Sequence, residues 1–237
     1  MILFHPAMKK IPAKLITAVV AIILATIAVN AQSHYLANLT VGVKAGADIS
    51  RMFFNPGVNQ ALKPGATAGV SFRYVEEEHF GLIAELNWVQ RGWKENFEGA
   101  PYRYSRTLNY LQLPILAHIY FGRRGRFFFN AGPEIGVLLA ESTSANFNPA
   151  EMATLPDFPN TNRMNVQMTL KAKHRFDYGI SAGLGAEFNV TPKHAVAFEA
   201  RFYYGLGNLF SSERTAPFSG SNSMAVSATL GYLFRLR

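Results

Sequence analysis

The sequence predicts an all-β fold, an eight-stranded antiparallel up-and-down transmembrane β-barrel. Three observations predict it. Apolar residues alternate with small or polar ones at period two, and no long segment keeps a helical period. The parity that carries charge also carries glycine. The connections between alternating segments are by turns long and short.

The chain begins with an address. Lys9, Lys10 and Lys14 precede an apolar run from Leu15 to Val29, which ends in Val29-Asn30-Ala31 ahead of Gln32. A basic segment, an apolar run and a small-x-small end form the pattern of a secretory signal peptide. This assigns residues 1–31 to a cleaved leader and 32–237 to an outer-membrane β-barrel domain. Met8 opens a more usual signal sequence than Met1. The competing reading, a membrane anchor helix, wants a longer run without a cleavage pattern.

Composition narrows the classes. Of 237 residues, 49% are hydrophobic and 16% charged, against about 25% charged in a soluble domain. That apolar content excludes a disordered chain. Cysteine is absent, which excludes a disulfide scaffold, a thiolate metal site and a cysteine nucleophile. Losing the leader lowers the formal charge from +8 to +5. A charge of that size suits anionic lipid or polysaccharide and is too small to argue for nucleic acid.

Strands are expected near 40–49, 66–76, 79–91, 107–121, 126–140, 175–189, 195–207 and 225–235. The third alternates Phe80, Leu82, Ala84, Leu86 and Trp88 against polar neighbours, and the fourth Leu111, Leu113, Ile115, Ala117 and Ile119. In the sixth, Phe176, Tyr178, Ile180, Ala182 and Leu184 face one way and Asp177, Gly179, Ser181 and Gly183 the other. A soluble barrel would turn its apolar parity inward. Glycine mixed with charge suits the crowded bore of a narrow barrel, and bulky aromatics suit lipid, so the apolar face points outward. The connections 50–65, 92–106, 141–174 and 208–224 are long, and 77–78, 122–125 and 190–194 are short. Four long outer loops alternating with three short inner turns match a barrel with both termini in the periplasm. Pro114 and Pro133 each remove a ladder donor, and the pair predicts a bulge or register irregularity where they meet.

Tyr110-Leu111-Gln112-Leu113-Pro114-Ile115-Leu116 is similar to the Y-L-x-(I/L)-P-(I/L)-L strand of the Bacteroidetes outer-membrane β-barrel proteins, a PorT-like group of the "porin family". Phe129–Gly136, Asp177–Gly185, Glu199–Leu206 and Leu230–Phe234 extend the resemblance in order through the chain. Gln112 stands where that family commonly has an acid. The sequence ends on Arg237 rather than an aromatic, which puts the assembly signal at Tyr232 and Phe234. The resemblance implies fold and outer-membrane location more than an activity.

Within the bore, Glu85, Glu134 and Arg201 are expected at similar mid-depth, with Lys44, Arg73 and Glu199 in reach. Buried charges must pair, so these six residues form a structural network or, alternatively, line a proton or ion path. Outside, Trp93, Tyr102, Arg103, Tyr104 and Arg106 on the loop 92–106 are candidate contacts for sugar or lipid headgroups, or girdle residues. Val166, Met168, Leu170 and Ala172 alternate in phase with the sixth strand, which predicts that this strand projects as an exposed sheet edge able to add a partner strand. The sequence has no Gly-x-Ser-x-Gly and no His-Glu-x-x-His. His118 is expected as an inward hydrogen-bonding group. No catalytic site, metal or cofactor is expected. The expected role is structural, or surface interaction through the outer loops. The alternatives are a narrow porin and an accessory barrel in secretion or envelope assembly. Expected partners are outer-membrane lipid and lipopolysaccharide and a surface protein or glycan, not nucleic acid; a monomer is favoured.

Overall fold

A computed structural model describes residues 38–75, 77–159 and 164–236. The leader assigned to 1–31 lies outside them. The elements are β1 (Asn38–Asn55), β2 (Gln60–Ala61), β3 (Lys63–Val75), β4 (Phe80–Glu95), β5 (Tyr104–Phe121), β6 (Gly125–Ala145), β7 (Phe176–Asn189), β8 (His194–Gly205) and β9 (Gly220–Arg235), with two 3₁₀ turns at Pro149–Thr154 and Val166–Met168. Each long strand pairs antiparallel with the next, and β1 closes the ring on β9 from Thr40↔Arg235 to Asn55↔Gly220. Two-residue β2 adds to the outer end of β4. Closure leaves no edge at membrane depth, which hydrocarbon requires because it offers backbone groups no partner.

The faces follow the alternation. Val70, Phe72, Leu86, Trp88, Leu113, Ile115, Phe129, Ile180, Leu184, Phe198 and Leu230 point outward and stay exposed. Their inward neighbours are polar or small. Gly46 and Gly132 allow close approach, since a Cβ there would lie 2.0 Å from the Ala228 carbonyl and 2.2 Å from the Ile115 carbonyl. The turns at 77–79, 122–124 and 190–193 are short.

The outer side differs from expectation. A spanning strand needs about 9–11 residues, whereas β1 and β5 have 18 and β6 has 21. Segments expected as loops, 50–55, 92–95, 104–106, 141–145 and 220–224, therefore continue as strand above the apolar band. There the inward parity changes character. On β1 it runs Lys44, Gly46, Asp48, Ser50 and then Met52 and Phe54, both buried. On β4 it reaches Trp93, and on β5 it holds Tyr104, Leu108 and Tyr110. These meet Leu209, Phe210 and Phe218 from the last loop and Phe158 and Met168 from the loop 146–175. The result is an apolar dome with its own core, standing on a polar-filled barrel.

The proline expectation is also corrected. Pro114 faces Glu134, and the register is the same there as at Ala117↔Ala131, although no pairs form between. The register shifts instead between Asn109 and Tyr110, where the wall leaves the apolar band and turns into the dome. Pro114 is the last paired residue before the gap in the β5–β6 ladder, and Pro133 lies in the gap while pairing with Ile180 on β7, so neither needs a neighbour to insert a residue.

Candidate functional site

The inward side chains of the barrel form three tiers. In the periplasmic tier, Glu187 on β7 receives Arg73 at 2.5 Å, Arg235 at 2.9 Å and Arg126 at 3.7 Å. His118 Nδ1 meets Asn130 Oδ1 at 2.7 Å, and its ring packs on Tyr120 and Phe128. Asn130 also donates to Glu199 at 2.8 Å, which joins this tier to the next.

In the middle tier Arg201 grips Glu85 through both terminal nitrogens, at 2.7 and 2.9 Å, and Glu199 at 2.8 Å. Lys44 reaches Glu85 at 2.6 Å and lies 4.0 Å from Glu199. Two cations thus face two carboxylates, and Asn87 adds a donor to Glu85 at 2.9 Å. The planar guanidinium matches the carboxylate fork, which makes this pairing both strong and directional. A cavity of about 30 Å³ lies beside Lys44, Arg73, Glu85, Asn130 and Glu199.

The outer tier is the more acidic. Arg91 bonds Glu134 at 3.1 Å, lies 3.8 Å from Asp48 and stacks 3.8 Å over the Tyr203 ring. Ser181 donates to Glu134, and Tyr203 to Asp177 at 2.8 Å. Expectation placed Glu134 level with Glu85 and Arg201. The structure brings Lys44, Glu85, Glu199 and Arg201 together and puts Arg73 one tier below and Glu134 one tier above. Glu187, Arg91, Asp48 and Asp177 complete the network and were not anticipated. Each lies on the inward parity of its strand, so the missing signal was the register between strands.

The dome holds the loop residues. Trp93, Tyr104 and Arg106 are not loop surface but inward strand positions, 0%, 1% and 4% exposed. Tyr102 is half-buried and Arg103 exposed. Trp93 packs edge-on against Phe54 and Phe210, with ring centres 5.4 and 6.0 Å away. These strand ends strap Pro156 and the segment Gln167–Leu170 across the mouth. Arg106 donates to the Leu170 carbonyl and pairs with Glu141 at 2.6 Å. Tyr104 donates to the Met168 carbonyl at 3.1 Å, and Tyr102 to that of Pro156 at 2.5 Å. Glu95 accepts from Trp93 and from the fully buried Gln167, both at 3.0 Å. Burial raises the Tyr104 hydroxyl above its ordinary pKa, so it stays a donor. At the exposed rim, hydrogen bonding and charge from Lys173 lower the Glu213 carboxyl.

A sheet wound this way, apolar outside and ion-paired within, matches a recorded family. The model of the "outer membrane protein beta-barrel domain" fits residues 30–211. The chain belongs to that family. Its members' location is the outer membrane, and this barrel lies there. No curated protein matches the chain. Among solved structures, the outer membrane protein OprG of Pseudomonas aeruginosa shares 10% identity over 86% of this chain and 98% of its own, with a TM-score of 0.49. Ail of Yersinia pestis, solved with the heparin analogue sucrose octasulfate, shares 12% over 83% and 99%, with a TM-score of 0.42. Neisserial surface protein A shares 13% over 82% and 96%, with a TM-score of 0.41. Likenesses this distant show the fold alone.

Proposed function

We propose that the protein is a closed surface barrel. Its interior is structural, and its dome meets a protein or glycan outside the cell. The observation that carries this reading is the filling of the bore: three tiers of buried charged side chains below a buried aromatic core. The cavity beside the middle tier, lined by Lys44, Glu85 and Glu199, is about 30 Å³. On the sequence motifs, the barrel is PorT-like, of the Bacteroidetes porin family, with residues 1–31 its cleaved leader. It acts as a monomer amid outer-membrane lipid and lipopolysaccharide, without catalytic centre or cofactor. Of the five loop candidates, Tyr102 and Arg103 retain surface to offer.

The test is single-channel recording of the purified barrel in planar bilayers. The expected result is no stable conductance step at moderate voltage. Reproducible steps of constant size would overturn the closed-barrel reading and leave a narrow porin in its place. Loss of secreted cargo in a deletion strain would instead favour an accessory barrel in secretion or envelope assembly.

A further inference from the structure

The wall of the dome is split on one side. β6 pairs with β5 as far as Tyr104↔Ala145, but with β7 only as far as Val137↔Phe176. Leu139 to Ala145 are all exposed. No described strand pairs with their far side. The register tells which groups face the gap. Asn146 N–H bonds the Arg103 carbonyl, so in this ladder the even residues of β6 bond β5. The N–H and C=O of Glu141, Thr143 and Ala145 therefore point into the split.

The split has a firm base and a charged approach. Leu138 N–H bonds the Arg175 carbonyl, and the Arg175 guanidinium binds the carbonyls of Leu138 and Leu139. From there the chain diverges from β6, because Lys173 and His174 give their N–H groups to Leu209 on the other side. Lys171, Lys173, His174 and Arg175 are all exposed along this segment. The nearby acids are engaged, Glu141 with Arg106 and Glu213 with Lys173. The sequence placed the projecting edge on the strand 175–189. That is corrected: 166–168 coil into a 3₁₀ turn with Gln167 and Met168 buried, and β6 is the strand that stands free.

We propose that this edge is a docking site for an extended acidic segment of another protein. The segment adds as a strand antiparallel to β6, in the place β7 vacates. Backbone bonds to Glu141, Thr143 and Ala145 hold it, and Lys171 and His174 select acidic side chains. An exposed edge is an aggregation hazard that proteins commonly blunt with charge, bulges or cover. Here the projecting face carries Ser142 and Ser144, and the charge stands across the gap. A second copy is a poor occupant. In one membrane its β6 would run parallel to the first, and its basic segment would repel. The proposal rests on the surface-interaction reading and names its partner's chemistry.

The experiment uses the full barrel in lipid nanodiscs and a fluorescein-labelled nine-residue peptide of alternating Val and Glu, read by anisotropy. Controls are the same peptide with Lys for Glu, and the acidic peptide N-methylated at every backbone amide, so that neither edge can donate. The acidic peptide is expected to bind at least tenfold more tightly than both controls. Thr143→Pro removes an edge donor without touching the β5 ladder, and is expected to weaken binding at least tenfold; Thr143→Val is expected to leave it unchanged. Heat-modifiable mobility checks that each variant is folded. Lys171→Glu with His174→Glu leaves the backbone intact and is expected to reverse the preference to the Lys peptide. Equal binding of the methylated and unmethylated acidic peptides would mean charge alone, and overturns strand addition, as does no binding of the acidic peptide. A conductance step would refute the closed barrel while leaving these binding results as they stand.

Discussion

Arg201→Ala is the sharpest probe of the filled bore. Arg201 supplies contacts at 2.7–2.9 Å to two carboxylates, Glu85 and Glu199, and is 7% exposed. Lys44 remains after the substitution, close to Glu85 at 2.6 Å but 4.0 Å from Glu199. One carboxylate then stays buried without a full partner, a loss of about 3–5 kcal/mol. With a urea slope of about 2 kcal/mol per molar, the unfolding midpoint falls by roughly 2 M. The assay is heat-modifiable mobility of the barrel in phospholipid vesicles across a urea series. Arg201→Met combined with Glu199→Gln leaves Lys44 and Glu85 balanced, and should recover about 0.5–3 kcal/mol relative to additivity. A midpoint shift no larger than that of Lys44→Met, or a double variant no better than the sum, would refute the tier as a charge-balanced unit.

Other perturbations separate the layers. Leu184→Arg places a charge on the lipid face beside the middle tier, where Leu184 is 67% exposed, and should cost about 2–4 kcal/mol, read by the same urea series. Trp93→Ala empties the centre of the dome at a cost of about 3–5 kcal/mol to that unit; limited proteolysis should cut the loop 146–175 faster while the barrel remains heat-modifiable. Lys173→Ala should leave the urea midpoint unchanged, because the Lys173–Glu213 pair is exposed and screened. Since Lys173 lowers the Glu213 carboxyl, that contact is complete above the ordinary carboxylate range and is lost as pH falls through the lowered value. Chemical shifts of the Glu213 carboxyl in Lys173→Ala should then titrate at higher pH than in the parent.

How much was legible beforehand follows from what each environment does to a pattern. A lipid-facing strand must alternate over its whole spanning length, so Phe80 to Trp88 and Phe176 to Leu184 announced both strand and face. The dome uses the same alternation, but its inward side is apolar. Met52 and Phe54 continue the parity of Lys44 and Asp48, and Trp93 that of Glu85 and Arg91. Large apolar residues on the charged parity near a strand end were the available signal that the strand outruns the membrane. Read as loop, they looked like surface anchors. The interior was half legible for a different reason. Parity says that a residue points inward but not at what height, and only the ladder sets Glu134 beside Arg91 and Arg73 beside Glu187. The free edge of β6 depended on where β7 begins, and the phase of Val166 to Ala172 suggested the wrong strand.

The tiers also bear on how the molecule is made. Arg73 and Glu187 are 114 residues apart in sequence, and Glu85 and Arg201 are 116. The ring itself closes between β1 and β9, the first and last strands. A chain delivered without its final strands holds cations and carboxylates that have not yet met, and a half-built sheet would carry them unneutralised into hydrocarbon. Insertion is therefore coupled to completion. The buried charges thereby favour insertion of the finished ring over that of a truncated copy.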